Sequence, residues 1–358
     1  MEPPIVYEWN PAPSNPRNTE GSFVTLADGS ILYAYSRYYG GSHDHCPAVI
    51  GAAVSDDGGW TWRLIEKPLV ENEGAMNVMS VSLLRPRSGE LLLFYLRKNG
   101  LADCRLHVRR SRDEGRTWSE PTLCVPMPGY HVTNNDRVIQ TCTGRIIAPG
   151  SLHRWSSPHE VAAGEVYLYV SDDDGHTWRA IGPVPCTLQT AMGPEEPGVL
   201  ELGDGRIWLH ARTDTGRHWQ SFSPDDGQGW SLMEPSQFMA PCSPLCVRRD
   251  PNSGHLLAVW NDHSGRFPVP DRSQHNNWSS VNWGRTPLVT AISDDEGRTW
   301  KHHRALESDF EHGYCYTAIH FVDDAVLLAY NAGGPEHGGV LCCHRMRHVP
   351  LRWLYEAP

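Results

Sequence analysis

Three arginines in this chain stand in polar segments where strands begin or end. They are Arg17 in Asn15-Pro16-Arg17-Asn18-Thr19-Glu20-Gly21, Arg212 in His210-Ala211-Arg212-Thr213-Asp214, and Arg285 in Gly284-Arg285-Thr286-Pro287-Leu288. A guanidinium is always charged and offers planar paired donors that match a carboxylate, so three converging on one point would bind an acid. Other chemistries find little support. Nineteen histidines raise the question of a metal, yet the H-x-H that stands out is His43-x-His45, which is short and common. No D-x-D-x-D-G loop with a late Glu, phosphate loop, dinucleotide fingerprint or G-x-S-x-G elbow occurs, so the expectation is a site without metal or cofactor.

The elements that must position these arginines are announced by two repeats. The first is Ser-x-Asp-x-Gly-x-Thr-Trp, in full at Ser55–Trp62, Ser111–Trp118, Ser171–Trp178 and Ser293–Trp300, and worn at Ser223–Trp230, where Gly229 replaces the threonine. Each copy reads as a turn between strands: Asp accepts backbone N–H bonds, Gly takes a positive φ, and Trp drops into an apolar layer. The pattern resembles the Asp box of the sialidase-like β-propellers. In the second repeat a polar turn precedes an apolar β-rich run, at Asp28-Gly29, Ser88-Gly89, Thr143-Gly144, Asp204-Gly205, Ser253-Gly254 and Asp323-Asp324. The five glycines are spaced by 60, 55, 61 and 49 residues. Six units predict an all-β fold, a six-bladed β-propeller of four-stranded antiparallel blades with Asp-box turns. In that geometry the Asp boxes lie on one rim. Residues just before a first strand, or between second and third strands, face the central well on the other.

Composition narrows the partners. The formal charge is −11, from 31 basic and 42 acidic residues without a long run of either sign, which argues against nucleic-acid and anionic-membrane surfaces. With 39% apolar residues, 28 prolines and 33 glycines, residues 1–358 are expected to form a single domain of many short strands. Ten cysteines without a CxxC pair are read as reduced, mostly buried thiols. The opening Met-Glu-Pro-Pro-Ile-Val-Tyr-Glu lacks a basic region and an apolar core, so the expected location is the cytoplasm. The segment Ile5-Val6-Tyr7 is expected to pair beside the carboxy-terminal blade and cover its edge.

With the arginines in an early, a middle and a late unit, the resemblance to the exo-sialidases becomes specific. That family clamps its substrate's carboxylate with three arginines, which implies Arg17, Arg212 and Arg285 here. Its tyrosine nucleophile matches Gly313-Tyr314-Cys315-Tyr316-Thr317, with Tyr316 the better register and Tyr314 second. Its activating glutamate matches Gly193-Pro194-Glu195-Glu196-Pro197, with Glu196 preferred to Glu195. A neutral tyrosine suits an anomeric carbon that already carries a carboxylate, since an anionic nucleophile would be repelled. The family's general acid corresponds to Asp44, in the Gly-rich loop from Ser36 and Arg37 to His45, with His43 and His45 as rivals. Asp44 would need burial and distance from the arginines to hold a proton near neutrality.

The usual Arg-Ile-Pro is replaced by Arg17-Asn18-Thr19-Glu20, so Glu20 either pairs with Arg17 or binds a sugar hydroxyl. Further substrate contacts are expected from Arg37, Asn77, Asn135, Arg137, His153 and His263. The resemblance implies a retaining exo-glycosidase that removes a terminal acidic sugar. One alternative is a lyase that opens a uronic-acid glycoside by β-elimination, with Tyr316, His153 or His263 as base. Another is a propeller that binds glycans without catalysis.

Overall fold

The computed structural model describes residues 2–154, 163–269 and 282–356. Among them, helical structure amounts to the short turn Pro335–His337 and the single helix Leu351–Tyr355, and the fold is all-β. Among the described residues no helix is long and apolar enough to cross a membrane.

The strands Arg17–Thr25, Ile31–Tyr38, Ala48–Ser55 and Arg63–Val70 pair antiparallel in chain order. The first three are buried nearly end to end, whereas the fourth, RLIEKPLV, exposes half of its residues to solvent. Glu195–Glu201, Ile207–Arg212, Arg217–Ser223 and Glu234–Met239 repeat this wiring, as do Cys246–Arg249, Leu256–Asn261, Leu288–Ser293 and Lys301–Glu307. A further sheet is formed by Gly313–Val322, Ala325–Gly333 and His344–Pro350, and its fourth place is taken by Ile5–Trp9. The start of the chain therefore covers the edge of this sheet, as expected for Ile5-Val6-Tyr7.

Between the first sheet and the one opening at Glu195, a nine-stranded sheet replaces separate four-stranded units. Its joint is a parallel pairing of Asp103–Ser111 with Gly129–Val132, Gly129 opposite Asp103 and Tyr130 opposite Cys104. Gly129 has φ 135°, and an added Cβ would meet Leu152 Cδ1 at 2.8 Å. Only glycine allows the close approach at this joint.

All five Ser-x-Asp-x-Gly turns lie between a third and a fourth strand and form the expected bonds. At Ser171–Trp178, Asp173 Oδ1 accepts the Thr177 N–H at 2.8 Å, Ser171 Oγ accepts the Gly175 N–H at 2.6 Å, and Trp178 Nε1 donates to Gly175 O at 2.9 Å. At the worn copy the Gly229 N–H reaches Asp225 at 2.7 Å, so the missing threonine costs the side-chain bond but not the turn. Four of the turns also rest on a neighbouring sheet: Gly115 lies beside Leu32, Gly227 beside Ile147, Gly297 beside Trp208, and Gly59 beside Leu327. The ten cysteines are all unpaired, and seven are buried.

The first strands of the sheets meet at the middle of the molecule. Arg17–Thr25 packs against Asn77–Leu84 and Gly313–Val322, and Glu195–Glu201 packs against Ile146–Arg154 and Cys246–Arg249. Asp136 ties three sheets together there, accepting from Ser22 Oγ at 2.9 Å and the Ile319 N–H at 3.1 Å, with Arg248 Nη2 at 3.0 Å.

Candidate functional site

Four of these inner strands break register at the same place, between Thr19 and Ser22, Met79 and Ser82, Glu195 and Gly198, and Cys315 and Ala318. The first residue inside each break takes a left-handed backbone: Glu20 at φ 53°, Ser80 at 55°, Glu196 at 46° and Tyr316 at 59°. Such a conformation costs a non-glycine residue on the order of 1–3 kcal/mol and persists only where the surroundings impose it. The bulge re-aims one side chain per strand. All four line one cavity of about 660 Å³.

Tyr316 Oη donates to Glu196 Oε1 at 3.1 Å, and Arg212 Nη1 lies 3.3 Å from the same hydroxyl and 2.8 Å from Glu196 Oε2. Burial, reinforced by the Glu196 charge, pushes the Tyr316 hydroxyl well above its ordinary range, so it is neutral at any physiological pH. Glu195 faces the other side of Arg212, 2.9 Å from Nη2, and lies 3.5 Å from His153 Nδ1. Burial, then the Arg212 charge, holds His153 down at about 4, leaving a neutral imidazole in the cavity wall.

Arg285 Nη1 donates to Cys315 Sγ at 3.1 Å, and its guanidinium packs 5.3 Å from the Tyr316 ring centroid. Arg17 sits over the Tyr38 ring at 4.5 Å, buried to 1% exposure, with no hydrogen bond at Nε or Nη2, and it pairs with Glu20 as one of the two expectations had it, Nη2 3.9 Å from Oε1. Arg17, Arg212 and Arg285 thus line one cavity with Tyr316, Glu196, Glu20, His153 and Asp44.

Asp44 differs from the sequence expectation. It lies at the mouth, its side chain 57% exposed, and Arg17 Nη1 donates to its Oδ1 at 2.5 Å. Desolvation raises its carboxyl, but Arg17 and then Lys98 outweigh it and hold the group below the usual carboxylate range. The distance from the arginines that an acid requires is absent here. Glu20 behaves oppositely: burial, opposed by Arg17, pushes it up to about 7, and Ser80 Oγ donates to it at 2.5 Å.

Five expected contacts lie outside the cavity. Asn77 is turned to the Asp44 loop, donating to Asp44 O at 2.8 Å and Cys46 O at 2.9 Å. Asn135 holds Gly21 O at 2.8 Å and Tyr316 O at 3.2 Å, which fixes the bulge of the tyrosine rather than touching ligand space. Arg137 and His263 are buried behind the inner strands, His263 Nε2 3.1 Å from Thr286 O. Arg37 lines a separate groove with Trp9, Tyr35 and Tyr39, because strand alternation turns it away from Arg17's side. Tyr314 packs beside Tyr330 in the core.

Sequence reasoning missed Ser80, Lys98, Tyr130 and an apolar wall of Met79, Leu96 and Val132. Lys98 is 1% exposed, donates to Asp44 O at 2.8 Å and lies 5.4 Å over the Tyr130 ring. A signal for Ser80 existed, since Glu20-Gly21-Ser22 and Ser80-Val81-Ser82 stand at the same offset from successive turn glycines.

The BNR repeat-like domain family matches residues 71–328. A sialidase of Paraclostridium sordellii is 27% identical over 248 residues, 60% of this chain and 57% of the relative. A sialidase of Bacteroides fragilis is 24% identical over 343 residues, 85% of this chain and 58% of the relative. The chain therefore spans less than three fifths of the length of these two relatives. Among solved structures, the leech intramolecular trans-sialidase complexed with 2,7-anhydro-Neu5Ac superposes with a TM-score of 0.73 at 14% identity, covering 99% of this chain and 71% of that one.

Proposed function

The chain belongs to the sialidase (BNR-repeat) superfamily, and from that premise we propose that it is a retaining exo-glycosidase that removes a terminal acidic sugar. The observation that carries this reading is the Tyr316–Glu196 hydrogen bond at 3.1 Å, with Arg212 3.3 Å from the same hydroxyl. In the proposed reaction Arg17, Arg212 and Arg285 take the sugar's carboxylate, and Tyr316 Oη attacks the anomeric carbon as its proton passes to Glu196. The substrate carboxylate displaces Asp44 from Arg17. Freed from that charge, Asp44 takes up a proton from solvent and donates it to the departing oxygen. Water, deprotonated by Asp44, then attacks the glycosyl-tyrosine, and Tyr316 recovers its proton from Glu196. The apolar wall of Met79, Leu96 and Val132 would receive an uncharged substituent of the sugar.

We read the architecture as six blades. Dividing the nine-stranded sheet at its parallel joint leaves six groups, and the contact of Gly59 with Leu327 supports a ring in which the last meets the first. The whole of residues 1–358 would then be one domain, and a single cooperative unfolding transition tests that.

Release of 4-methylumbelliferone from a sialoside and a small panel of uronides tests the activity. Turnover of none of them, or full activity in Tyr316→Phe, would sink the mechanism. The neutral His153 in the cavity wall favours one second reading, β-elimination from a uronic-acid glycoside with His153 as base and the arginines acidifying the C5 proton. An unsaturated, ultraviolet-absorbing product separates it from hydrolysis.

A further inference from the structure

His312, Glu336 and His337 bring three potential ligand atoms within 4.8 Å of one another beside the cavity. His312 comes first: its Nδ1 faces Asp309 Oδ2 at 2.9 Å, and Asp309 is itself fixed by the Glu311 N–H at 2.9 Å. A neutral imidazole that donates Nδ1–H to a carboxylate presents a lone pair at Nε2, the arrangement by which carboxylates orient metal-binding histidines. That Nε2 lies 2.6 Å from Glu336 Oε1. At this distance a hydrogen bond joins the two atoms, and a tetrahedral ion taking the place of its proton would spread them to about 3.3 Å. His337 Nδ1 points at the same Glu336 oxygen from 3.4 Å and also receives the Gly334 N–H at 3.2 Å, a long contact that a metal would replace.

The two segments are already pressed together. A Cβ on Gly334 would meet His312 Cδ2 at 2.8 Å and Glu311 O at 2.9 Å. His312 directly precedes the strand that carries Tyr316, and His337 directly precedes Gly338–Cys342, which line the cavity wall. The sequence expectation of no metal rested on short spacings, whereas His312 lies 24 positions before Glu336 and 25 before His337 and meets them only through the fold.

We propose that His312, Glu336 and His337 form a binding site for a divalent ion of the zinc class, pinning the wall Gly338–Cys342 to the lead-in of the Tyr316 strand. Two imidazoles and one carboxylate suit zinc, with a fourth position left for water, and suit magnesium or calcium poorly. This site stands apart from the acidic-sugar reading and does not depend on it.

The test is calorimetric titration of Zn²⁺ into the chelator-treated full chain, alongside visible spectra after adding Co²⁺. One equivalent is expected to bind, with the intense absorption of four-coordinate cobalt, and binding should weaken at least tenfold in His312→Ala and in Glu336→Gln. Glu336 is exposed, so the Gln variant keeps the test decisive if His312→Ala folds poorly. His176→Ala, on an exposed Asp-box turn, should bind as the parent does. No binding to the parent chain would leave the His312–Glu336 contact as a hydrogen bond alone and overturn the proposal. Unchanged affinity in Glu336→Gln would also overturn it.

Discussion

Asp44 Oδ1 stands 2.5 Å from Arg17 Nη1, so the residue proposed to donate a proton occupies the fork proposed to take the substrate's acid. Binding and proton donation are thereby coupled. Asp44→Asn is expected to lower kcat by about 10²–10³ on a substrate with a sugar leaving group, in line with loss of general acid catalysis. On a 4-methylumbelliferyl glycoside, whose leaving group needs little protonation, kcat should fall far less. Steady-state kinetics on the two substrates check this, and an equal loss on both would assign Asp44 another role.

Tyr316→Phe and Glu196→Gln should each reduce kcat by 10²-fold or more, on the scale of positioned proton-transfer groups. Their melting temperatures are the control. A loss of activity that tracks a loss of folded protein would assign the pair to structure.

Arg285→Lys tests the clamp without removing charge. Lysine cannot reproduce a planar paired donor, and a lost hydrogen bond to a charged group is worth about 2 kcal/mol, or roughly 30-fold. Most of that should appear in KM for the acidic substrate, measured with initial rates.

Glu20 supplies a pH dependence. Burial raises its carboxyl from 4.5 to about 7, so in the folded chain it stays protonated over a range where the unfolded chain has already released the proton. Its contribution to stability is full below pH 4.5, falls as pH rises toward 7, and is lost above that, a change on the order of 3 kcal/mol. Histidines held low, His153 among them, tilt stability the other way over acidic pH. The informative quantity is therefore the difference in stability between parent and Glu20→Gln, measured by denaturant titration. It should move in favour of the variant from pH 5 to 8, and a flat difference would contradict the raised carboxyl.

Trp178→Ala should destabilise by about 2–4 kcal/mol, since the indole is partly buried, packs edge-on against Phe94 at 5.8 Å and closes its turn through Gly175 O. Turnover per folded molecule should be unchanged, because the Asp-box turns lie between third and fourth strands, away from the cavity. Active-site titration against the melted fraction checks both halves.

The turns were legible because their determinants are local: Ser171, Asp173, Gly175, Thr177 and Trp178 satisfy one another within eight residues. Arg17, Arg212, Arg285, Glu196 and Tyr316 were reachable through the resemblance and their order along the chain. What stayed hidden depends on long-range placement. Whether Asn135 or Asn134 faces the cavity is decided by one step along the turn that follows the strand Gly129–Val132, and the structure turns Asn134 inward while Asn135 braces Tyr316. Lys98 reaches the cavity from a strand whose sequence marks it only as an apolar run with a polar end, and Tyr130 from the four-residue strand Gly129–Val132, too short to announce a face. The Asp44–Arg17 pair joins residues 27 apart through a loop path that no spacing announces.

The bulges at Glu20, Ser80, Glu196 and Tyr316 make this cavity programmable by single codons. Each offers one slot whose backbone is bent by the sheet around it, so a change of side chain there alters the reagent without asking the strand to move. A carboxylic acid, an alcohol, a base and a phenol already fill equivalent slots within one chain. New chemistry on this scaffold should begin with exchanges at those four addresses, and Ser80, the least committed of them, is the place to start.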